Sequence, residues 1–220
     1  MPKTKGAKPQ VVLGIAGGSG SGKSWLAHRV ATAFAGRSTL LCHDWWYRDN
    51  GHLPHEEALL LNVDHPDSLE TDLMCRDLDR LMLGEAIEAP VYDYAKHARL
   101  KRTRTVEPAP LVIIDGILIL ADSALRERLT LSVFIEVPDD IRLARRVRRD
   151  TAERGVAVEE TLRVYEHCVR PMHKEFVAPS SHHATWIWSQ LEDAEFPDLL
   201  LADLAKRLAP EGAAEAAPAA

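Results

Sequence analysis

Residues 11–24 read Val11-Val12-Leu13-Gly14-Ile15-Ala16-Gly17-Gly18-Ser19-Gly20-Ser21-Gly22-Lys23-Ser24. The first six form a short apolar run with β-branched residues, the pattern of a buried strand. From Ser24 to Phe34 the apolar residues Leu26, Val30 and Phe34 recur at helical spacing. Between strand and helix, Gly17 to Ser24 satisfies G-x-x-x-x-G-K-[ST], and that flanking context turns a pattern into a phosphate cradle. Glycines let successive backbone N–H groups turn toward an anion, and the helix N-terminus adds a favourable dipole. Lys23 would reach the outer phosphates and the Ser24 hydroxyl would ligate Mg²⁺.

Working outward, Leu111-Val112-Ile113-Ile114 reads as a second buried strand closed by Asp115-Gly116, and Leu131 to Val137 as a third stopped by Pro138. Leu40-Leu41-Cys42 is a weaker strand. Helices are predicted over Ser68 to Leu83, over Pro138 to Asp150 with Asp139 as N-cap, and near Glu159 to Val169. Strands alternating with helices predict an α/β fold, a doubly wound parallel sheet of the P-loop NTPase type. Residues 90–107, bounded by Pro90 and Pro108, predict a small β-hairpin lobe outside the sheet, and residues 141–156 an arginine-bearing helical lid. Residues 1–208 then form a single domain. Residues 209–220, rich in Ala, Pro and Glu, predict a disordered tail.

The 220-residue chain has 27 Lys+Arg against 33 Asp+Glu, a net charge of −6, so no global basic field recruits nucleic acid or anionic lipid. No apolar run approaches the eighteen or so residues of a membrane helix, and the basic start Met1 to Lys8 has no apolar signal core. A soluble cytoplasmic protein is expected. Cys42, Cys75 and Cys168 are far apart and in no CxxC pair, which excludes a disulfide framework and a zinc site as readings.

A P-loop alone does not separate kinases from GTPases or motor ATPases. No lysine begins the K-x-D of a guanine-reading [NT]-K-x-D motif. A metal-holding carboxylate at the end of a neighbouring strand is supplied by Asp115, which could also be an ordinary turn aspartate. Phosphoryl transfer to a small hydroxyl needs an acidic base near the γ-phosphate and a cationic lid. Asp44, just past the Leu40-Leu41-Cys42 strand, falls on the same carboxyl edge as the P-loop. Arg142, Arg145, Arg146 and Arg149 fall at i, i+3, i+4 and i+7, one arginine face with no acid between Ile141 and Arg149. A solvated face normally mixes signs.

On these residues the chain resembles the uridine kinase (uridine-cytidine kinase) family within the phosphoribulokinase/uridine kinase group of P-loop kinases. The matching stretches are Gly14 to Ser24 (GIAGGSGSGKS), Asp44 to Asp49 (DWWYRD), Asn62 to Asp67 (NVDHPD), Pro90 to Arg99 (PVYDYAKHAR), Ile113 to Leu118 (IIDGIL), Asp140 to Gly155 (DIRLARRVRRDTAERG) and Val169 to Pro179 (VRPMHKEFVAP). The resemblance implies transfer of the γ-phosphoryl group of ATP or GTP, with Mg²⁺, to the 5′-hydroxyl of uridine or cytidine. It implies Asp44 as the base and Asp64 and Arg146 as holders of the ribose hydroxyls. Tyr92 and His97 would meet the pyrimidine, and Arg149 and Arg154 the phosphates. It also suggests a homotetramer.

The chain departs from the resemblance at Asp115, where the family usually has Glu, at Val156, where a lid cation is lost, and at Val164, where a glutamine is lost. Ala184 to Gln190 lacks the family's usual aliphatic strand, and Trp186 and Trp188 are expected at a surface or subunit contact. The losses at Val156 and Val164 both lie in the lid and on the nucleoside side of the site. A related kinase for another ribosyl compound, such as nicotinamide riboside or a phosphopentose, stays open. So does a catalytically weak nucleotide-binding regulatory protein.

Overall fold

A computed structural model describes residues 7–54, 57, 61–94 and 96–209. The tail at 210–220 and the extreme N-terminus lie outside the described residues. In chain order the elements are β1 (Val11–Gly17), α1 (Lys23–Ala33), β2 (Ser38–Cys42), α2 (Thr71–Met82), β3 (Ile87–Asp93), β4 (Ala98–Val106), β5 (Leu111–Asp115), α3 (Ser123–Arg126), β6 (Leu131–Glu136), α4 (Asp139–Arg154), α5 (Val158–Val164), β7 (Trp186–Ser189) and α6 (Phe196–Arg207). Short 3-10 turns cover His43–Trp46 and Pro66–Ser68.

The five-stranded sheet runs β2-β5-β1-β6-β7, and each neighbouring pair is parallel. Alternation along the strands feeds two cores. Val12, Ala16, Val112, Ile114 and Phe134 face α2 and the base of the hairpin, while Leu13, Ile15, Ile113, Val133 and Ile135 face α1 and α6. A strand covered on both faces must be apolar throughout, which is why these runs lack polar alternation. Burying each such side chain stabilises the fold by about 1.5–3 kcal/mol.

Register places the chemistry at one edge. Ile15 and Cys42 both pair with Asp115, and Gly17 pairs with Ile135. The loop after β1, the turn after β2, the end of β5 and the start of α4 therefore share the carboxyl edge, where parallel sheets leave their crevice. The antiparallel β3–β4 hairpin stands apart as a two-stranded sheet and begins three residues earlier than Pro90.

Three expectations need correction. Pro138, not Asp139, caps α4; Asp139 lies in the first turn, where a carboxylate suits the helix dipole, and it pairs with Arg142. The segment with the two tryptophans is a strand, β7, at the sheet edge beside β6. Trp188 is buried, its ring stacked 5.5 Å from Phe196 and 6.4 Å from Trp25, with Nε1 donating to the Asp193 carbonyl at 2.7 Å. The sequence there lacks aliphatic residues because indoles fill the inward positions. Finally, the helix near Glu159 to Val169 runs on through two π-helical turns, Tyr165–Val169 and His173–Val177. Pro171, which has no N–H to give, lies between them.

Candidate active site

The loop from Gly17 to Gly22 is held from below by α4. Arg142 is 1% exposed and donates Nε to the Val137 carbonyl at 3.1 Å and Nη1 to the Ser19 carbonyl at 3.4 Å. A Cβ at Gly18 would lie 2.7 Å from Arg142 Cζ and 3.0 Å from His173 Cε1, so only glycine admits this approach. Gly20 and Gly22 take φ of 82° and 92°, the left-handed region that side chains rarely adopt. Arg145 donates to Gln190 Oε1 at 2.6 Å, and that amide packs against Gly22. Cation and backbone together fix the loop's shape before any anion arrives.

Lys23 and Ser24 open α1. Lys23 Nζ donates to the Gly18 carbonyl at 3.4 Å, which draws the ammonium across the mouth of the loop. Ser24 Oγ donates to Asp115 Oδ2 at 2.6 Å, while Asp115 Oδ1 is buried without a hydrogen-bond partner. A hydroxyl oxygen and a carboxylate with an unused buried oxygen are the hard donor set that Mg²⁺ takes.

Asp44 lies on the 3-10 turn after β2, between buried anchors. His43 sits against Thr71 Oγ1 at 3.2 Å, its pKa pushed down to about 4 by burial. Trp46 is wholly buried and donates Nε1 to Asp77 Oδ2 at 3.0 Å. Burial, with Asp115 and Asp64 nearby, pushes the half-buried Asp44 carboxyl up to about 6 against the pull of Lys23 and Arg154. Asp64 is buried too, and its pKa is raised by burial against Arg146, Lys23 and Arg149. Asp44 and Asp64 thus feel each other and the same ammonium, so the two carboxylates converge on the P-loop.

The hairpin forms the opposite wall. Arg99 on β4 pairs with Glu70, donates Nη2 to the Trp46 carbonyl at 3.0 Å, and its N–H donates to Asp49 Oδ1 at 3.1 Å. These contacts tie the lobe to the Asp44 segment. Tyr92 is buried, its ring 5.2 Å from Tyr47 and 5.4 Å from Tyr94. His97 lies in the hairpin turn at φ 50°, left-handed backbone for a non-glycine residue.

The arginine face of α4 divides. Arg142 and Arg145 belong to the loop's scaffold, so they are not lid residues as the spacing alone suggested. Arg146 Nη1 donates to Ser19 Oγ at 3.0 Å, and burial lowers its pKa while Asp64 and Asp150 raise it. Arg146, Arg149 and Arg154 all pair with Asp150. The structure thus brings Gly17 to Ser24, Asp44, Asp64, Asp115 and Arg146 to one edge, and the fields of Arg149 and Arg154 reach Asp64 and Asp44 respectively. Sequence reasoning missed Arg142 as scaffold, His173 beside Gly18, and Asp150. Only Asp150 left a signal, four residues from both Arg146 and Arg154.

The profile of the Phosphoribulokinase / Uridine kinase family matches residues 12–196. A protein named uridine kinase from Chloroflexus aggregans is 43% identical over 179 residues, 81% of this chain and 86% of its own. One of the same name from Geobacillus sp. is 43% identical over 180 residues, 81% of this chain and 85% of its own. Among solved structures, a possible uridine kinase from Bacillus stearothermophilus superposes with a TM-score of 0.57 at 15% identity, covering 85% of this chain and 92% of that one. Phosphoribulokinase from Rhodobacter spheroides gives 0.54 at 17%, over 83% and 76%. These two show the shared fold. With a family profile spanning most of its length and relatives above 40% identity, the chain belongs to the Phosphoribulokinase / Uridine kinase family.

Proposed function

We propose that the chain transfers the γ-phosphoryl group of ATP or GTP to the 5′-hydroxyl of uridine or cytidine, giving the monophosphate. The observation that carries this reading is the P-loop at the sheet's carboxyl edge with Asp44 on the turn after β2 beside it, Lys23 lying within electrostatic reach of both Asp44 and Asp64. Relatives 38–43% identical over about four-fifths of the chain are named uridine kinase.

The P-loop backbone and the α1 N-terminus seat the donor's phosphates, and Lys23 lies across their outer end. Asp64 and Arg146 are placed to fix the ribose diol, a carboxylate accepting and a guanidinium donating. Asp44 then accepts the proton of the 5′-hydroxyl as its oxygen bonds to the γ-phosphorus and the bond to the β-phosphate's bridging oxygen breaks. A carboxyl poised at about 6 is ionised at neutral pH yet basic enough to help. Mg²⁺, held by Ser24 and Asp115, would offset the charge on the phosphate oxygens. Tyr92 and His97 wall the base side, where a neutral imidazole donates from one nitrogen and accepts at the other and so suits uracil and cytosine alike.

Among the described residues no helix is long and apolar enough to cross a membrane, consistent with a proposed cytoplasmic role on small soluble substrates. The test is turnover of the purified chain on a panel of uridine, cytidine, adenosine, nicotinamide riboside and ribulose 5-phosphate, read as ADP release. Uridine and cytidine are expected to lead. A lead by any other acceptor would overturn the substrate while leaving phosphoryl transfer in place.

A further inference from the structure

Three arginines of α4, Arg146, Arg149 and Arg154, have one carboxylate in common. Asp150 is buried on α4. Its Oδ1 accepts from Arg149 Nε at 2.9 Å and Nη2 at 2.8 Å and lies 3.3 Å from Arg154 Nη1; its Oδ2 lies 3.3 Å from Arg146 Nε. The backbone is fixed as well. The Asp150 carbonyl accepts the N–H groups of Gly155 and Val156, and Gly155 closes the helix at φ 66°. That closing turn leaves Arg154 as the last residue of the helix.

Each guanidinium has five donors; Arg149 gives two of them to Asp150, while Arg146 and Arg154 stand at ion-pair distance from it. All three lie within electrostatic reach of the site components already described. Arg146 Nη1 reaches Ser19 Oγ in the P-loop. The charge of Arg149 is felt at Asp64 and that of Arg154 at Asp44. Without Asp150 the three like charges would stand together and repel one another, and each long side chain would regain its rotamer freedom. We propose that Asp150 is a positioning residue, the shared anchor that orients Arg146, Arg149 and Arg154 so that their free edges present one cationic surface to the transferring phosphoryl group.

This rests on the phosphoryl-transfer reading, and the test separates the two. Wild-type activity on any acceptor of the panel secures phosphoryl transfer, and the mutant cycle is then measured with that acceptor. Asp150→Asn keeps the side chain's shape and removes its charge. It is expected to lower kcat/KM by 10- to 100-fold, with Asp150→Glu recovering part of the loss. The decisive measurement is the same substitution in an Arg149→Gln/Arg154→Gln background. Only Arg146 is left for the anchor to orient there, and Ser19 Oγ holds that side chain as well, so the added loss should shrink below about 3-fold. Should the full loss persist in that background, or the single substitution leave kcat/KM within 3-fold of wild type, the proposal is overturned. If Asp150→Asn does not fold, as judged by circular dichroism, the cycle is run with Asp150→Glu, with an expected loss of 3- to 10-fold that again vanishes without the arginines.

Discussion

The hydroxyl of Ser24 donates to Oδ2 of Asp115 across 2.6 Å, joining the first turn of α1 to the last residue of β5. That bond leaves Oδ1 of the carboxylate buried and unused, the atom that a cation would take. Asp115→Asn can keep the bond from Ser24 through its amide oxygen while removing the negative charge that this residue gives the site. The Mg²⁺ concentration for half-maximal activity is expected to rise at least 10-fold, and chelation by EDTA to abolish turnover of the wild type. An unchanged Mg²⁺ requirement in the variant would remove Asp115 from the metal site.

Asp44→Asn removes the proton acceptor without changing shape, and kcat should fall by about 10² to 10⁴, the usual worth of general-base help. Donor affinity should hardly move. In the wild type, kcat/KM should decline on the acid side with an apparent pKa near 6, because burial raises this carboxyl and only its ionised form accepts the proton. A profile flat from pH 5 to 8 would point to another base. Lys23→Ala serves as the contrast, since an ammonium on the outer phosphates acts in ground and transition states alike and both affinity and rate should drop.

The same carboxyl makes a thermodynamic prediction with a definite sign. Its folded pKa of about 6 lies above the unfolded value of 3.8. Stability from this group is therefore full below pH 3.8 and is lost as pH rises through 6. A shift of that size corresponds to roughly 1–3 kcal/mol, discounted for the group's partial exposure. Asp44→Asn should accordingly melt several degrees higher than wild type at pH 8, with the gap closing by pH 4. A lower melting temperature for the variant at pH 8 would refute the burial argument.

His97→Ala tests the base side. If the imidazole bonds the pyrimidine, kcat/KM for uridine and cytidine should fall by about 3- to 30-fold, the range of one or two hydrogen bonds. Adenosine should remain a poor substrate in both proteins. Equal values for variant and wild type on both pyrimidines would detach His97 from recognition.

Much of the frame was readable because parallel strands covered on both faces are almost wholly apolar, as Leu111 to Ile114 are and Leu131 to Ile135 are but for Ser132, whose hydroxyl accepts from Thr185 N–H. Asp44 and Asp115 could be placed on the P-loop's edge for the same reason: strand ends fix them. What stayed hidden depended on three-dimensional burial. Arg142 looks in sequence like any arginine of its stripe, yet it is the one that descends under the loop. β7 was obscured because Trp186 and Trp188 replace aliphatic residues on its inward side, with Ile187 between them exposed. Helix α6 carries Leu199, Leu200 and Leu201 in succession, of which Leu199 is 62% exposed and Leu200 buried, so its periodicity is weak. The site residues on strand edges were legible; those whose role depends on which side of α4 they leave were not.

One consequence follows from the two π turns between Tyr165 and Val177. Thr161, Tyr165, Val169 and Val177 are buried, with half-buried His173 completing a step of four residues. In an ordinary α-helix four residues overshoot a full turn by about 40°, so over four such steps the line would slide about 160° around the axis. The wide turns slow the winding and keep the line straight, which is how His173 arrives under Gly18. The segment therefore works as a phased spacer: losing a single residue from it would tighten the winding, rotate everything beyond the cut, and carry the imidazole away from the loop with no change to any residue that touches phosphate.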